Sequence, residues 1–341
     1  MGHLLIDAAL GKPVPRTPIW IMRQAGRYQA EYQALRAKYT FLELCHSPEL
    51  AAEVSLIPDK LLGIDGIIVF CDILVPLEAM GMGLSFQGGK GPVLSNPVRT
   101  RSDINALKPY DANVKTAYLP GAISNLVAEV GDRLPVLGFA GAPYTLACYA
   151  IEGQGSRHWG KAKKMMMGDP VAWDMLMTKL SDAVADLLIA QIEAGASLVQ
   201  IFDTWAGDLM PDQYRNKVAP YTKRIIEKVK RPGVPVVHFM NGIAGKINEV
   251  VALEPDVISI DWRIDIGEVR RQLGPDVVLQ GNLDPSTLYA PHDVIEERAK
   301  AVLDANAGGP HVFNLGHGIL PDIPVAAAKH LVETVQRISV K

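Results

Sequence analysis

An α/β fold, a single (β/α)8 TIM barrel spanning residues 1–341 as one domain, is what this sequence predicts, and three observations predict it. Eight short apolar runs recur along the chain, each of strand length. Between most of them lie segments long enough for a helix, so strand and helix alternate as a parallel sheet requires. Polar or charged side chains then follow the ends of the runs (Arg23, Asp72, Asp203, Thr204, Asp261, Asn282, Asp284 and His317), and the C-terminal rim is where such barrels carry their chemistry. A doubly wound open sheet is the alternative. It fits less well, because Gly26 stands alone after the first run, without the GxGxxG spacing of a dinucleotide turn.

The first run, Ile19 to Met22 within PIWIMRQAGRY, is apolar on both faces, as a buried parallel strand is. It ends in Arg23 and Arg27 flanking Gln24, Ala25 and Gly26. Two planar, permanently charged forks suit carboxylate or phosphate, and a pair of arginines tied to buried acids would read the same way. Gln29 to Lys38 has helical composition. Ser47-Pro48-Glu49 is an N-cap with proline at the first helical position, so a helix is expected to about Leu62. Gly66 to Phe70 is the second strand and ends at Cys71-Asp72. Pro135 to Phe139, Ser197 to Phe202, Pro235 to Phe239, Asp256 to Ile260, Val277 to Gln280 and His311 to Leu315 complete the eight. Helices are expected over Asp169 to Ala194, Pro211 to Lys230, Ile243 to Leu253, Ile266 to Leu273, His292 to Ala307 and Pro324 to Ile338. Two connections break the spacing. Gly81 to Thr100 predicts a hairpin over the mouth, and Gly153 to Lys164 predicts either a glycine-hinged basic lid or a solvated loop.

Composition excludes several function classes. A net charge of −3 argues against a nucleic acid partner, which needs a concentrated basic surface. Cys45, Cys71 and Cys148 form neither a CxxC pair nor a disulfide framework, which fits a reducing, cytoplasmic compartment and leaves no metal-ligand spacing. The N-terminus lacks a basic segment followed by a long apolar one, so no signal peptide is expected. Leu134 to Ile151 runs 18 residues without a charge, the length of a membrane span. Pro135, Gly138, Gly141 and Pro143 break it into strand, loop and helix start, so no membrane association is expected.

Five motifs, in order, resemble those of the uroporphyrinogen decarboxylase family: MRQAGRY at Met22 to Tyr28, FCDI at Phe70 to Ile73, GAPYTL from Gly141 running on to Tyr149 and Gly153, FDTWAG at Phe202 to Gly207, and NLGHGI at Asn314 to Ile319. Each falls at a strand end. The resemblance implies a barrel that pairs as a homodimer, works without metal or organic cofactor, and takes a small-molecule tetrapyrrole. Its reaction would be the loss of the four acetate carboxyls of uroporphyrinogen III as carbon dioxide, giving coproporphyrinogen III. By the same resemblance Arg23 and Arg27 bind substrate carboxylates, helped by Gln24 and the backbone of Ala25 and Gly26. Asp72 is catalytic and contacts the pyrrole N–H groups, Tyr149 and Thr204 bind side-chain carboxylates, and His317 lies in the same cleft. Thr204 and Cys71 stand where serine is common in the family. Threonine keeps the hydroxyl but adds a methyl and stiffens χ1, and Cys71 reads as a packing residue.

The chemistry asks for these groups. Protonating the ring carbon beside the acetate-bearing one makes an iminium-like cation that accepts the electrons left by departing carbon dioxide. A carboxylate at the pyrrole nitrogens would stabilise that cation. The same aspartate could instead cap a helix. His317 has an intrinsic pKa of about 6.5 and arginine is almost always protonated, so the proton donor stays open between Arg27, His317 and a bound water. Two other readings stand beside this one. A zinc- and corrinoid-dependent methyltransferase of the same superfamily would use a His-x-Cys step that this chain lacks. A porphyrin carrier would need the arginines but leaves Asp72 unexplained.

Overall fold

The computed structural model describes residues 2–87 and 91–340. Seven strands form one parallel sheet, in the order β1 (Ile67–Ile68), β4 (Val136–Gly141), β5 (Leu198–Asp203), β6 (Val236–Met240), β7 (Val257–Ile260), β8 (Val278–Leu283) and β9 (His311–Leu315). Each falls on a predicted run, and helices intervene, including Pro48–Leu62, Pro170–Glu193, His292–Ala305 and Val325–Ile338. Ser47 caps the first of these, its hydroxyl accepting from Leu50 N at 3.2 Å. A separate antiparallel pair, β2 (Leu84–Gln87) and β3 (Gly91–Leu94), is the predicted hairpin; its tip, 88–90, lies outside the described residues. Val93 in turn bridges to Gln154, so the hairpin leans on the segment after the helix Pro143–Glu152.

The first predicted strand departs from expectation. Residues 18–22 make a single parallel bridge, Ile19 to Phe313, with Phe313 N donating to Pro18 O at 2.8 Å. On the other side Asp65 N donates to Ile19 O at 2.9 Å. Three further amides of the run find side-chain oxygens in place of ladder carbonyls: Ile19 N gives to Asp65 Oδ2 (2.8 Å), Ile21 N to Gln24 Oε1 (3.1 Å) and Met22 N to Asn314 Oδ1 (2.9 Å). Buried amides must be paired, and here side chains do the pairing, so a run as apolar as any strand carries almost no ladder. The expected helix over 211–230 is likewise two helices, Pro211–Lys217 and Ala219–Val229, because Pro220 cannot continue the N–H series and Val218 leaves the helical region. The helix expected from Ile243 shrinks to Ile247–Val251, the Ile243 amide having turned to Asp261 Oδ1.

Both faces of the sheet are buried. Val136, Val199, Val236, Ile258, Leu279 and Phe313 pack under the helices. The opposite face carries Leu137, Leu198, Val237, Val257, Val278 and Val312, packed with Trp20, Met22 and the helix Leu4–Ala9. Toward the C-terminal ends a polar layer crosses that second face: Gln280 accepts from Trp20 Nε1 (3.0 Å) and donates to Gln200 Oε1 (2.8 Å) and Ser259 Oγ (2.9 Å). Above it Phe139, Phe202 and Phe239 stand edge to face, with centroids 5.8 and 5.9 Å apart. Two cavities of about 230 and 290 Å³ lie at the N-terminal ends of the strands, lined respectively by residues such as Lys12 and His311 and by Arg270 and Arg271. Neither touches the predicted site residues. Leu134 to Ile151 resolves into β4 and the start of the next helix, and no described helix is long and apolar enough to cross a membrane.

Candidate active site

Parallel strands put all their C-terminal ends at one edge of the sheet, so the residues that follow them share a rim. Arg23 follows the Ile19–Met22 run with φ +61, a left-handed conformation unusual for a side-chain-bearing residue. The turn is locked from within. Gln24, fully buried, accepts from Ile21 N and donates to Gly66 O at 3.1 Å, while Tyr28 Oη donates to Gln24 O at 2.6 Å. Gln24, expected to help bind substrate, uses each end of its amide in a bond inside the protein and so holds the arginine turn. Ala25 and Gly26 are partly exposed on the same turn, with Gly26 N given to Gln29 Oε1.

Asp72 follows β1. One of its oxygens accepts from Leu74 N at 2.8 Å, which fixes the carboxylate without consuming it. Burial pushes its pKa up to about 6, opposed by the Leu74 amide and by the charge of Arg23. Tyr149, on the helix Pro143–Glu152, is pushed up to about 12 by burial and then by the charge of Asp72, so it stays a hydroxyl donor. His317, after β9, is driven down to about 4 by burial and then by Arg23 and Arg263. Arg23 thus acts on all three groups, and the four residues meet in one field.

The glycines around His317 explain its place. A Cβ on Gly316 would fall 2.3 Å from Trp262 N, and one on Gly318 2.4 Å from Arg23 Cδ. Their absence lets Trp262 and the Arg23 stem close on the imidazole from two sides. Trp262 stands edge-on to His317 at 6.0 Å, and Phe239 does so from below at 6.1 Å. The phenylalanines of the upper sheet face therefore run directly into the histidine as an apolar floor.

The two other predicted residues are Arg27 and Thr204. Arg27 is exposed, as Arg23 is, and its charge bears on Tyr32, which packs with Leu44, Val54 and Ile57. Thr204 is partly buried after β5, with its hydroxyl bonded to no described residue. The segment 153–164, expected as lid or loop, is pinned by Trp159, which is fully buried against Tyr149 (5.1 Å) and Trp205 (4.8 Å). Cys71 is partly buried against the core, as a packing residue would be. Sequence reading missed Phe139, Phe202 and Phe239, Trp262, and Arg263, whose guanidinium lies 3.8 Å over the Trp262 ring. Their signal was position alone: each phenylalanine is at or near the end of a predicted strand, and Arg263 directly follows a strand-end Asp-Trp pair. Among the described residues no three His, Cys, Asp or Glu side chains converge as a metal-binding group.

Comparison with known proteins adds the following. The family model described as uroporphyrinogen decarboxylase matches residues 2–338. The uroporphyrinogen decarboxylase of Geobacter metallireducens is 49% identical over 342 residues, covering 100% of both chains. That of Trichlorobacter lovleyi is 49% identical over 340 residues, covering 99% of each. Among solved structures, a methyltransferase from Methanosarcina mazei superposes with a TM-score of 0.83 over 97% of both chains at 23% identity. A B12-independent methionine synthase from Shewanella reaches 0.56 at 14% identity, over 88% of this chain and 91% of that one. At such identities these two are likenesses of fold alone.

Proposed function

The chain belongs to the uroporphyrinogen decarboxylase family, and on that premise we propose how its cleft works as a carboxy-lyase on uroporphyrinogen III, turning four acetates into methyl groups. The observation that carries the assignment is the convergence of Arg23, Asp72, Tyr149 and His317 over an apolar floor. Four pyrroles joined by saturated methylene bridges and fringed with anions suit such an apolar floor ringed by donors. Arg23 supplies a bidentate carboxylate fork, with Arg27 at the outer edge; Ala25 and Gly26 bring backbone close; Tyr149 and Thr204 supply hydroxyls.

Asp72 does the chemical work. Its free oxygen faces the pyrrole N–H groups. When the ring carbon next to the acetate-bearing one takes a proton, the ring becomes cationic, and the carboxylate, already fixed by Leu74 N, stabilises that charge without reorganising. The C–C bond to the acetate carboxylate then breaks, its electron pair neutralises the ring, and carbon dioxide leaves. Protonation at the exocyclic carbon, with loss of the first proton from the ring carbon, completes the methyl group and restores the pyrrole, so one proton is taken up for each carbon dioxide released. His317, held neutral at physiological pH, serves as a hydrogen-bonding partner to the substrate and not as a standing acid.

We further read residues 18–22 as the eighth stave, closing the sheet into a (β/α)8 barrel of one domain. The bridge of Ile19 to Phe313 in β9, and its bond from Asp65 two residues before β1, support this. The expected homodimer and a reducing cytoplasm, the latter in keeping with three free thiols, belong to the same proposal. The test is anaerobic incubation of the purified protein with uroporphyrinogen III, with and without exhaustive chelation. Coproporphyrinogen III at equal rates in both arms is the expected result. Activity that vanished with chelator and returned with zinc would favour the methyltransferase alternative.

A further inference from the structure

We propose that Arg263 is a further substrate-binding residue, its guanidinium taking a propionate carboxylate of the tetrapyrrole on the side of the cleft away from Asp72. The inference rests on the decarboxylase reading above and deepens it. A substrate with eight carboxylates needs several cations, and of the two arginines in the Arg23–Arg27 turn only Arg23 bears on Asp72, Tyr149 and His317.

Arg263 is arranged to be the second cation. It follows β7, and its Nη1 donates at 2.7 Å to both Asp261 Oδ2 and Asn241 Oδ1. Its central carbon lies 3.8 Å above the Trp262 ring, and that ring stands against His317. The guanidinium is thus oriented by a fully buried carboxylate below it and an indole beside it, while 49% of its side chain stays exposed. Nη2 and Nε donate to no described residue. A planar fork anchored through one nitrogen and unspent at the others matches a carboxylate and loses little freedom on binding it. His317 feels both Arg23 and Arg263, so the two cations flank one imidazole.

The choice of propionate follows from position and from the reaction. In the sheet order, β7 lies four strands along from β1, with β4, β5 and β6 between, so a pyrrole engaged at Asp72 presents a distant ring to Arg263. Acetates disappear one by one over four turnovers. Only a propionate offers the same handle throughout.

Arg263→Gln and Arg263→Lys would be compared with wild type in steady-state assays on uroporphyrinogen III and, separately, on the pentacarboxylic porphyrinogen that remains after three acetates are lost. The expected result for Arg263→Gln is a rise in KM of roughly tenfold on both substrates with a much smaller fall in kcat, as for loss of binding common to ground and transition states. Arg263→Lys should recover part of it. Should Arg263→Gln be destabilised by the stranded Asp261, the double variant Asp261→Asn with Arg263→Gln removes both charges and carries the same expectation. A folded variant with wild-type KM on both substrates overturns the proposal. So does a penalty confined to the octacarboxylate, which would put an acetate on Arg263. Absence of wild-type turnover in the same assay would strike the decarboxylase reading itself.

Discussion

Asp72 and Asp203 make an instructive pair. Each ends or follows a parallel strand, and burial pushes each far above the usual carboxylate range, to about 6 and about 7 respectively. Around Asp72 one oxygen is held by Leu74 N, the residue stays partly exposed, and Arg23 lies across the opening. Around Asp203 the wall is complete: it is fully buried, its Oδ1 accepts from Thr145 Oγ1 at 3.1 Å, and its Oδ2 lies 3.9 Å from His238, itself driven down to about 3 by burial. Thr145 also accepts from Trp205 N, so Asp203 ties the loop bearing Thr204 to the helix bearing Tyr149. Raised proton affinity alone therefore does not distinguish the carboxylate proposed for catalysis. The opening and the facing cation set Asp72 apart.

The largest effect expected to separate the two comes from amide substitution. Asp72→Asn keeps shape but loses the charge that meets a protonated pyrrole, so kcat should fall roughly 100-fold or more with KM moving less. Near wild-type turnover would end the charge-stabilisation mechanism. The pH profile comes next. With Asp72 needed as carboxylate and titrating near 6 in the free enzyme, kcat/KM should fall about tenfold per pH unit below that point; an acid limb displaced to about pH 4, the ordinary carboxylate range, would mean another group sets it.

The arginines give a smaller contrast of the same kind. Arg23→Lys loses the bidentate fork beside Asp72 and His317 and should raise KM by about tenfold, whereas Arg27→Lys, beside Tyr32, should cost only a few-fold. Equal penalties would show that Arg27 swings inward with substrate. Smallest is Asp203→Asn, which preserves the size and the Thr145 contact, so turnover should stay within about threefold of wild type. Its signature is in stability. A carboxyl bound more tightly to its proton in the folded state contributes stability that is lost as pH rises from about 4 to about 7. Melting curves taken from pH 5 to 9 should therefore decline less for Asp203→Asn than for wild type; parallel declines would place the titration elsewhere.

Much of this arrangement was legible from residues alone. Seven strands, the helix starting at Pro48 and the rim positions of Asp72 and His317 all follow from runs of apolar residues ended by polar ones. What escaped reading depends on the third dimension. Gln24 sits among ligand-like residues but spends its amide on Ile21 and Gly66, and only the fold brings Gly66 there. Arg263 becomes part of the cleft because Gly316, more than fifty residues later, lets Trp262 approach His317. The Ile19–Met22 run looks like every other strand, and its difference lies in partners at Asp65 and Asn314.

Those partners have a consequence for the order in which the chain becomes active. Met22 N is held by Asn314, 292 positions later, and Pro18 O by Phe313 N. Thr17, just before them, is met by Ser339, 322 positions away. Contacts of such separation carry a large loop-closure cost, so the turn that aims Arg23 is fixed only once the strand His311–Leu315 is in place beside it. A chain cut before residue 311 loses the Phe313 and Asn314 anchors of the run, and with them one side of the frame that aims Arg23.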